Sequence, residues 1–376
     1  MIYLDFAATT PVSAPVQDRM AAVLAENFGN PSSPHLPGIV AAKIVEAARR
    51  EILQSIGLEN SHRLVFTSGG SEGNSQVFQS LLGDEERGGN VVVSAVEHNS
   101  IRSMLSRLNR VGIEVRKVTP GPDGTLAPET VLARTDNETR LVSIMAVNNE
   151  TGFIFDIATI AGALKKQFPR VRIHSDFVQG FMKIPATLRE IDYITVAAHK
   201  IYGPKGVGAM IYRSNLPLPA LIGGSQEGGL RGGTHNVPGI SGFREAVLLL
   251  AGNVEENLVQ VSRLRGIFLK EMLKHLPVTQ VAESKNNSPY ILGLTVPGIK
   301  SEVIVRMLSE KGIFISAGSA CSSKSKLRNH TAETLGLVPD SYLRISFSHY
   351  LDVPAVKTAA EAIADTCTEF LKMMGK

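Results

Sequence analysis

Short apolar runs alternate with helical patterns, and this alternation constrains the fold of the chain more than any other feature. Candidates for buried strands are residues 64–66, 91–93, 141–147, 171–173, 193–196 and 207–212. An amphipathic helix precedes them, where Val40, Ile44, Ala48, Ile52 and Ile56 recur every four residues. Strands that alternate with helices predict an α/β fold with a mostly parallel sheet.

Polar clusters follow directly after five of these strand candidates. The clusters are residues 68–72, 97–99, 148–150, 176–179 and 199–200. In an open parallel sheet, ligands bind at the carboxyl ends of the strands. The sequence therefore predicts that these clusters surround one crevice.

The pattern changes from about Asn253 onward, where two long helical stretches accompany a strand pair at residues 291–296 and 343–348. This change predicts a second, smaller α+β domain. The expected division is a large domain over residues 13–252 and a small domain built from residues 1–12 and 253–376.

Charge and cysteine usage exclude several classes of function. The chain carries 39 Lys and Arg against 35 Asp and Glu, and the basic residues are scattered, so direct nucleic-acid binding is not favoured. Two cysteines cannot form a disulfide framework in 376 residues.

The start, MIYLDFAATTP, has no basic region typical of a signal peptide, and the longest apolar run, residues 246–251, is too short for a bilayer. A cytoplasmic protein without a membrane partner is expected.

Several polar residues could carry chemistry, and each has a structural alternative. Ser68-Gly69-Gly70-Ser71 fits either a phosphate cradle or a tight strand-to-helix turn. Lys200 is a candidate for covalent bonding to a carbonyl group, or a solvated surface lysine. Asp176 could hold a pyridinium nitrogen protonated, or cap a helix.

The two cysteines lie in contrasting surroundings. Cys321 stands among small polar residues near Lys324 and Lys326, which favours an exposed, reactive thiol over a buried one. Cys367 shares a helix face with Ile363, Phe370, Leu371 and Met374, which predicts a core position. His98, His199 and Cys321 show no spacing typical of a metal site, so no metal is expected.

Ten ordered motifs along the whole chain resemble those of the cysteine desulfurases of the NifS/IscS type. These are pyridoxal 5′-phosphate (PLP) enzymes of fold type I, in the class V aminotransferase superfamily. The motifs are YLDFAATTP, FGNPSSPH, FTSGGSEGN, EHNSI, VNNETG, SDFVQGF, AAHKIYGPKGVG, GGSQEGGLRGGTHNV, SAGSACSS and YLRISFS. The resemblance implies a large domain with a mostly parallel seven-stranded sheet plus a smaller α+β domain.

The resemblance also implies a role for each residue that matches a family motif. The PLP contacts would be Lys200 as the covalent attachment, Asp176 at the ring nitrogen, Gln179 at the ring hydroxyl, His98 stacked on the ring, and Gly70, Ser71 and His199 at the phosphate. Thr234 would reach the phosphate from the second subunit of a homodimer, after the Gly-rich stretch 223–233, which could otherwise be a flexible loop. Asn149 and Arg344 would bind the carboxylate of the substrate, L-cysteine, and Cys321 would attack its sulfur. The expected products are L-alanine and a persulfide on Cys321, which passes sulfur to a protein acceptor for iron–sulfur clusters, tRNA thiolation or cofactor synthesis.

The chain departs from the family pattern at several positions. Ala197 stands where Ser or Thr adds a phosphate contact, and His235 stands where Glu is common. Gly73 and Ser75 replace larger residues, and residues 324–331 lack the usual Leu-Glu-Pro stretch. The sequence also leaves two alternative functions open: another PLP enzyme of the same fold, such as a transaminase or a selenocysteine lyase, or a non-catalytic protein that kept the fold.

Overall fold

A computed structural model describes residues 1–82, 88–121, 123–318 and 330–375 of the chain. Its strands, in chain order, are β1 (Ile2–Tyr3), β2 (His62–Thr67), β3 (Asn90–Ser94), β4 (Glu114–Val118), β5 (Thr139–Ser143), β6 (Arg172–Asp176), β7 (Tyr193–Ala197), β8 (Gly208–Arg213), β9 (Gln280–Ala282), β10 (Ile291–Thr295), β11 (Ile313–Phe314) and β12 (Tyr342–Ser346).

The helices accompany these strands along the chain. They are α1 (Ala14–Glu26), α2 (Leu36–Gln54), α3 (Gly70–Leu82), α4 (Asn99–Arg110), α5 (Pro128–Leu132), α6 (Ile157–Gln167), α7 (Val237–Ala251), α8 (Val254–His275), α9 (Ser301–Glu310), α10 (His330–Thr334) and α11 (Val353–Met373). Among the described residues, no helix is both long enough and apolar enough to cross a bilayer.

The central sheet has seven strands in the order β2-β8-β7-β6-β5-β3-β4. Strand β8 runs antiparallel to both of its neighbours, and every other pair in the sheet is parallel. The predicted α/β fold with a mostly parallel sheet is therefore confirmed. The parallel strands β3, β5, β6 and β7 end at one edge, which brings the loops that follow them together.

The sequence analysis did not predict β4, and there is a physical reason for this. This strand reads Glu-Val-Arg-Lys-Val, lies at the edge of the sheet and buries only Val118 fully. An edge strand needs no continuous apolar run, because one of its sides faces solvent. The predicted strand at residues 141–147 is also shorter than expected, since regular pairing ends at Ser143.

The C-terminal region forms two further sheets. Strand β10 pairs antiparallel with β9 and β12, which confirms the predicted strand pair, and β1 pairs parallel with β11. The long helices α8 and α11 pack against each other beside these strands. The N-terminal strand is thus built into the C-terminal part of the fold.

Residues 4–10 connect that region to the end of β7. The N–H of Leu4 donates to the Phe314 carbonyl at 2.8 Å, and the N–H of Ser346 donates to the Leu4 carbonyl at 2.8 Å. Farther along, the N–H of Thr10 donates to the His199 carbonyl at 2.9 Å. This segment therefore passes from the small sheets directly over the loop that carries His199.

Cys367 lies in the core, as predicted. It is fully buried on α11, and burial raises the pKa of its thiol to about 12. Ile363 and Phe370 are buried on the same helix, whereas Met374 lies past the end of α11 and is 53% exposed.

We expect Cys367→Ser to lower the free energy of unfolding by about 1–3 kcal/mol, because a hydroxyl replaces a thiol among apolar side chains. Denaturant unfolding measures the change, and Cys367→Ala is the matched control that removes the sulfur without adding a polar group. A Ser variant as stable as the wild type would contradict the burial argument.

Candidate active site

A cavity of about 230 Å³ lies where strands β6 and β7 end. Its lining contains every residue predicted for the site apart from Thr234 and Cys321. The lining residues are Ala7, Ala8, Gly70, Ser71, Asn74, His98, Met145, Asn149, Asp176, Val178, Gln179, Ala197, His199, Lys200 and Arg344. A larger and more open groove of about 790 Å³ includes Arg49, Glu227 and His235 but none of the residues predicted to bind the cofactor or substrate.

Lys200 ends a single 3₁₀ turn, Ala198–Lys200, that follows directly after β7. Its Nζ donates to the carbonyl of Ala7 at 2.6 Å and to the carbonyl of Ala8 at 2.7 Å. The N-terminal segment therefore holds the amine inside the cavity. The structure excludes the solvated surface lysine that the sequence left open.

Asp176 is the last residue of β6 and is 5% exposed. Its Oδ2 accepts a hydrogen bond from Asn74 Nδ2 at 2.7 Å, and its Oδ1 accepts one from the Val178 N–H at 3.0 Å. A buried carboxylate needs such donors because it has lost its water. The pair of contacts fixes the carboxylate at the wall of the cavity, and a helix cap is not its role, since no α-helix begins there.

Gly70 begins α3 and also lines the cavity. A Cβ atom at this position would lie 2.8 Å from Val178 Cγ2, so the backbone can approach the loop after β6 only because residue 70 is glycine. The first turn of a helix has backbone N–H groups without partners in the helix, and these favour an anion. Gly70 and Ser71 therefore present donors suited to a phosphate group.

His98 precedes α4 and has a defined ring orientation. The Ser100 N–H donates to His98 Nδ1 at 3.2 Å, so Nδ1 accepts and the neutral ring carries its proton on Nε2. Burial lowers the pKa of His98, Lys200 and Arg102 lower it further, and Asp176 opposes the shift. The neutral imidazole is thus the favoured form.

Asn74 and Ser100 connect His98 to Asp176. Asn74 Nδ2 donates both to Asp176 Oδ2 and, at 2.9 Å, to Ser100 Oγ, and Ser100 Oγ lies 2.8 Å from His98 Nδ1. The sequence analysis missed both residues. Asn74 stands among other polar residues in the first turns of α3, so its sequence surroundings do not single it out.

His199 is held against the N-terminal segment. Its Nδ1 lies 3.2 Å from Thr9 Oγ1, and its carbonyl accepts from Thr10. Burial, Lys200, Lys183 and Lys205 together lower the pKa of His199 to about 3. A neutral histidine in the cavity can donate one hydrogen bond to an anion without adding a charge.

Arg344 lies on β12 with its side chain 2% exposed. Nη2 donates to Asp5 Oδ1 at 2.7 Å and Nη1 donates to the Asn149 carbonyl at 3.0 Å, while Nε is buried without a partner among the described residues. The guanidinium is therefore fixed on both sides and keeps donors for a carboxylate. Asp5, which holds it, was not predicted from the sequence.

Thr234 and Cys321 are the two predicted residues that the cavity does not include. Thr234 lines a neighbouring cavity of about 240 Å³ that also contains Ser68 and Arg231. Cys321 lies outside the described residues, as do Lys324 and Lys326.

The Gly-rich stretch before Thr234 is packed rather than loose. A Cβ on Gly232 would overlap the carbonyl of Gly223, so the two backbone segments approach too closely for any other residue.

His235 Nε2 lies 2.7 Å from Glu227 Oε1, and Glu227 Oε2 accepts from Arg49 Nη1 at 2.7 Å. His235 therefore belongs to an ion-pair cluster outside the cavity of its own chain.

Comparison with known proteins places the chain in a family. Residues 2–358 match the model of the aminotransferase class-V family. The chain belongs to the class-V aminotransferase family. A cysteine desulfurase of Bradyrhizobium diazoefficiens is 33% identical over 373 residues, which cover 98% of this chain and 94% of the relative.

Two solved structures extend the comparison. A NifS-like protein superposes with a TM-score of 0.90 at 29% identity, covering 98% of this chain and 99% of the other. A structure described as SspA in complex with cysteine has a TM-score of 0.79 at 28% identity, covering 94% and 100% of the two chains. The predicted resemblance and fold are confirmed.

Enzymes of the class-V aminotransferase family depend on PLP, and the predicted cofactor is thereby confirmed. The cavity fits PLP chemically. A fixed carboxylate at Asp176 suits a pyridinium nitrogen, the start of α3 suits a phosphate, and Lys200 supplies the amine.

Ala197 marks where this chain departs from the family pattern in the cavity wall. It is 1% exposed, and its Cβ is 4.0 Å from the position that a Cβ on Gly70 would take. A serine here would therefore place a hydroxyl beside the start of α3. We expect Ala197→Ser to bind PLP about 3- to 10-fold more tightly, through one added donor to the phosphate.

PLP release from the wild type and from Ala197→Ser measures this effect, and Ala197→Val is the control that adds bulk without a donor. Unchanged or faster release from the Ser variant would contradict the expectation.

Proposed function

We propose that the chain is a cysteine desulfurase, which removes sulfur from L-cysteine, releases L-alanine and carries the sulfur as a persulfide on Cys321. One observation carries this proposal: Lys200, Asp176, His98 and Arg344 line a single cavity of a chain that resembles cysteine desulfurases over nearly its full length. The SspA structure in complex with cysteine supports the choice of substrate.

The proposed PLP site uses three walls of the cavity. Asp176 would keep the ring nitrogen protonated, Gln179 would donate to the ring hydroxyl, and His98 would stack on the ring. Gly70, Ser71 and His199 would hold the phosphate, and Lys200 would form the covalent attachment. When bound, PLP withdraws electrons from the substrate carbon that carries the amino group.

Arg344 and Asn149 are proposed to bind the substrate carboxylate. The guanidinium is already oriented by Asp5 and by the Asn149 carbonyl, so little side-chain freedom remains to be lost on binding. This orientation directs the amino group and sulfur of the substrate toward the other end of the cavity.

Proton movement is proposed for His98 and Lys200. The lowered pKa of His98 keeps its ring neutral, and Nε2 is the atom at which the ring would move a proton, because Nδ1 accepts from the Ser100 N–H. The Asn74–Ser100 contacts keep the ring in place. The Lys200 amine would move a proton at the substrate carbon.

Sulfur transfer is proposed to take place on Cys321. Its thiolate attacks the substrate sulfur, the bond between that sulfur and carbon breaks, and the electron pair remains with the carbon. Protonation of the carbon gives alanine, so Cys321 and cysteine become the Cys321 persulfide and alanine without any external oxidant. Small neighbouring residues and two nearby lysines favour a reactive thiolate.

The wider assignments are also proposals. The chain divides into a large domain over residues 13–252 and a small domain from residues 1–12 and 253–376, which the pairing of β1 with β11 supports. It acts as a homodimer in which Thr234 reaches the partner's phosphate site. It passes sulfur in the cytoplasm to a protein acceptor, such as an iron–sulfur scaffold or a sulfur carrier.

We expect purified protein supplied with L-cysteine to form alanine, and the Cys321 peptide to gain the mass of one sulfur atom. Cys321→Ser should abolish both products, whereas Cys367→Ser should retain them, because Cys367 is buried and its thiol pKa is about 12. Mass spectrometry and amino-acid analysis measure the two products. Equal loss of activity in both folded variants would refute the assignment.

We expect a mixture of two inactive variants, Lys200→Ala and Thr234→Val combined with a Gly-rich-loop substitution, to recover activity after subunits exchange. Each mixed dimer should then contain one intact site. Sedimentation measures the dimer, and a fully active monomer would be incompatible with a shared site.

A further inference from the structure

Lys183 is a buried cation that the proposed reaction does not use. It follows β6 in a turn, where its N–H donates to the Gly180 carbonyl at 3.0 Å, and it is only 5% exposed. Within the described ranges of the chain, no carboxylate forms an ion pair with it. Burying a lysine without a counter-ion destabilises the folded protein, so the remaining contacts of Lys183 indicate its role.

Two groups surround the Lys183 amine. Nζ donates to Gln179 Oε1 at 3.3 Å, and it lies 5.6 Å from the centroid of the Tyr290 ring, within the range of a cation–π contact. The contact between the Lys183 amine and the Tyr290 ring does not depend on how a polar side chain is oriented. The contact with Gln179 is directional and connects Lys183 to the cavity wall.

The Gln179 side-chain amide is held at both ends. Its Oε1 faces the Lys183 amine, and its Nε2 donates to the Ala7 carbonyl at 2.9 Å. Turning the amide over would set its NH₂ against the Lys183 ammonium and its oxygen against the Ala7 oxygen. Both contacts would then be repulsive.

We propose that Lys183 is a positioning residue, which fixes the Gln179 amide so that its NH₂ end, and not its oxygen, serves the PLP cavity. Gln179 lines that cavity, and Nε2 carries a second N–H beyond the one given to Ala7. This inference rests on the proposed function, in which Gln179 donates to the ring hydroxyl.

The charge state of Lys183 does not alter this role. Burial, together with the charges of Lys200 and Arg344, lowers its pKa to about 7. Both the ammonium and the neutral amine can donate to the Gln179 oxygen. The neutral amine can also accept from a turned amide, but the Ala7 carbonyl, which accepts from Nε2, opposes the turned amide in either state.

A double-mutant cycle on the full-length protein tests the proposal. The variants are Lys183→Met, which removes the donor at similar length, Gln179→Leu, which removes the amide, and the pair combined. The readout is the dissociation constant of PLP, from equilibrium dialysis and the visible absorption of the bound cofactor. We expect each single variant to bind PLP about five- to tenfold more weakly, and the double variant to match Gln179→Leu alone.

Lys165→Met is the matched control. Its Nζ pairs with Asp192 Oδ2 at 2.6 Å, and Lys165 does not line the cavity. This variant should lower the unfolding temperature but leave the dissociation constant of PLP unchanged. If Lys183→Met does not fold, Lys183→Gln replaces it, because an amide there can present either oxygen or nitrogen to Gln179, and about two- to threefold weaker binding is expected.

Additive losses in the double variant would overturn the proposal, since Lys183 would then act independently of Gln179. So would weaker PLP binding in Gln179→Leu together with unchanged binding in Lys183→Met, and that result would leave the proposed function standing. A wild type that binds no PLP would overturn both.

Discussion

The carboxylate of Asp176 is buried at the end of a central strand, and a carboxylate in that position has to be hydrogen-bonded. Its two donors come from different elements, Asn74 on α3 and the backbone after β6. These bonds hold the start of α3 against the sheet, where the missing Cβ of Gly70 allows close approach. The same contacts therefore fix the start of α3 and the carboxylate as parts of one cavity.

The N-terminal segment completes the site from the other side. Ala7 accepts hydrogen bonds from both Lys200 and Gln179, and Asp5 holds Arg344. Because β1 pairs with β11, this segment is anchored in the C-terminal sheets while its next residues form a wall of the cavity. The covalent-attachment lysine and the carboxylate-binding arginine are thus positioned by the same short stretch of chain.

Sequence reasoning identified the elements whose pattern is local. The apolar residues of β2, β3 and β6 to β8 are buried. Polar residues that follow β2, β3, β6 and β7 meet in one cavity, as the parallel topology requires. It missed β4, whose edge position needs no apolar run, and it missed Asn74, Ser100 and Asp5. Those side chains act by contacts with residues distant in sequence, such as Asp5 with Arg344, and no local pattern encodes such a pairing.

We propose that this cavity holds PLP through Lys200, and the buried amine of Lys183 nearby is the alternative attachment point. The most direct measurement treats the PLP-loaded protein with borohydride, which makes the attachment permanent, and locates the modified peptide by mass spectrometry. We expect one pyridoxyl group per chain, on Lys200. A label on Lys183 or on another lysine, or no label on a protein that carries PLP, would contradict it.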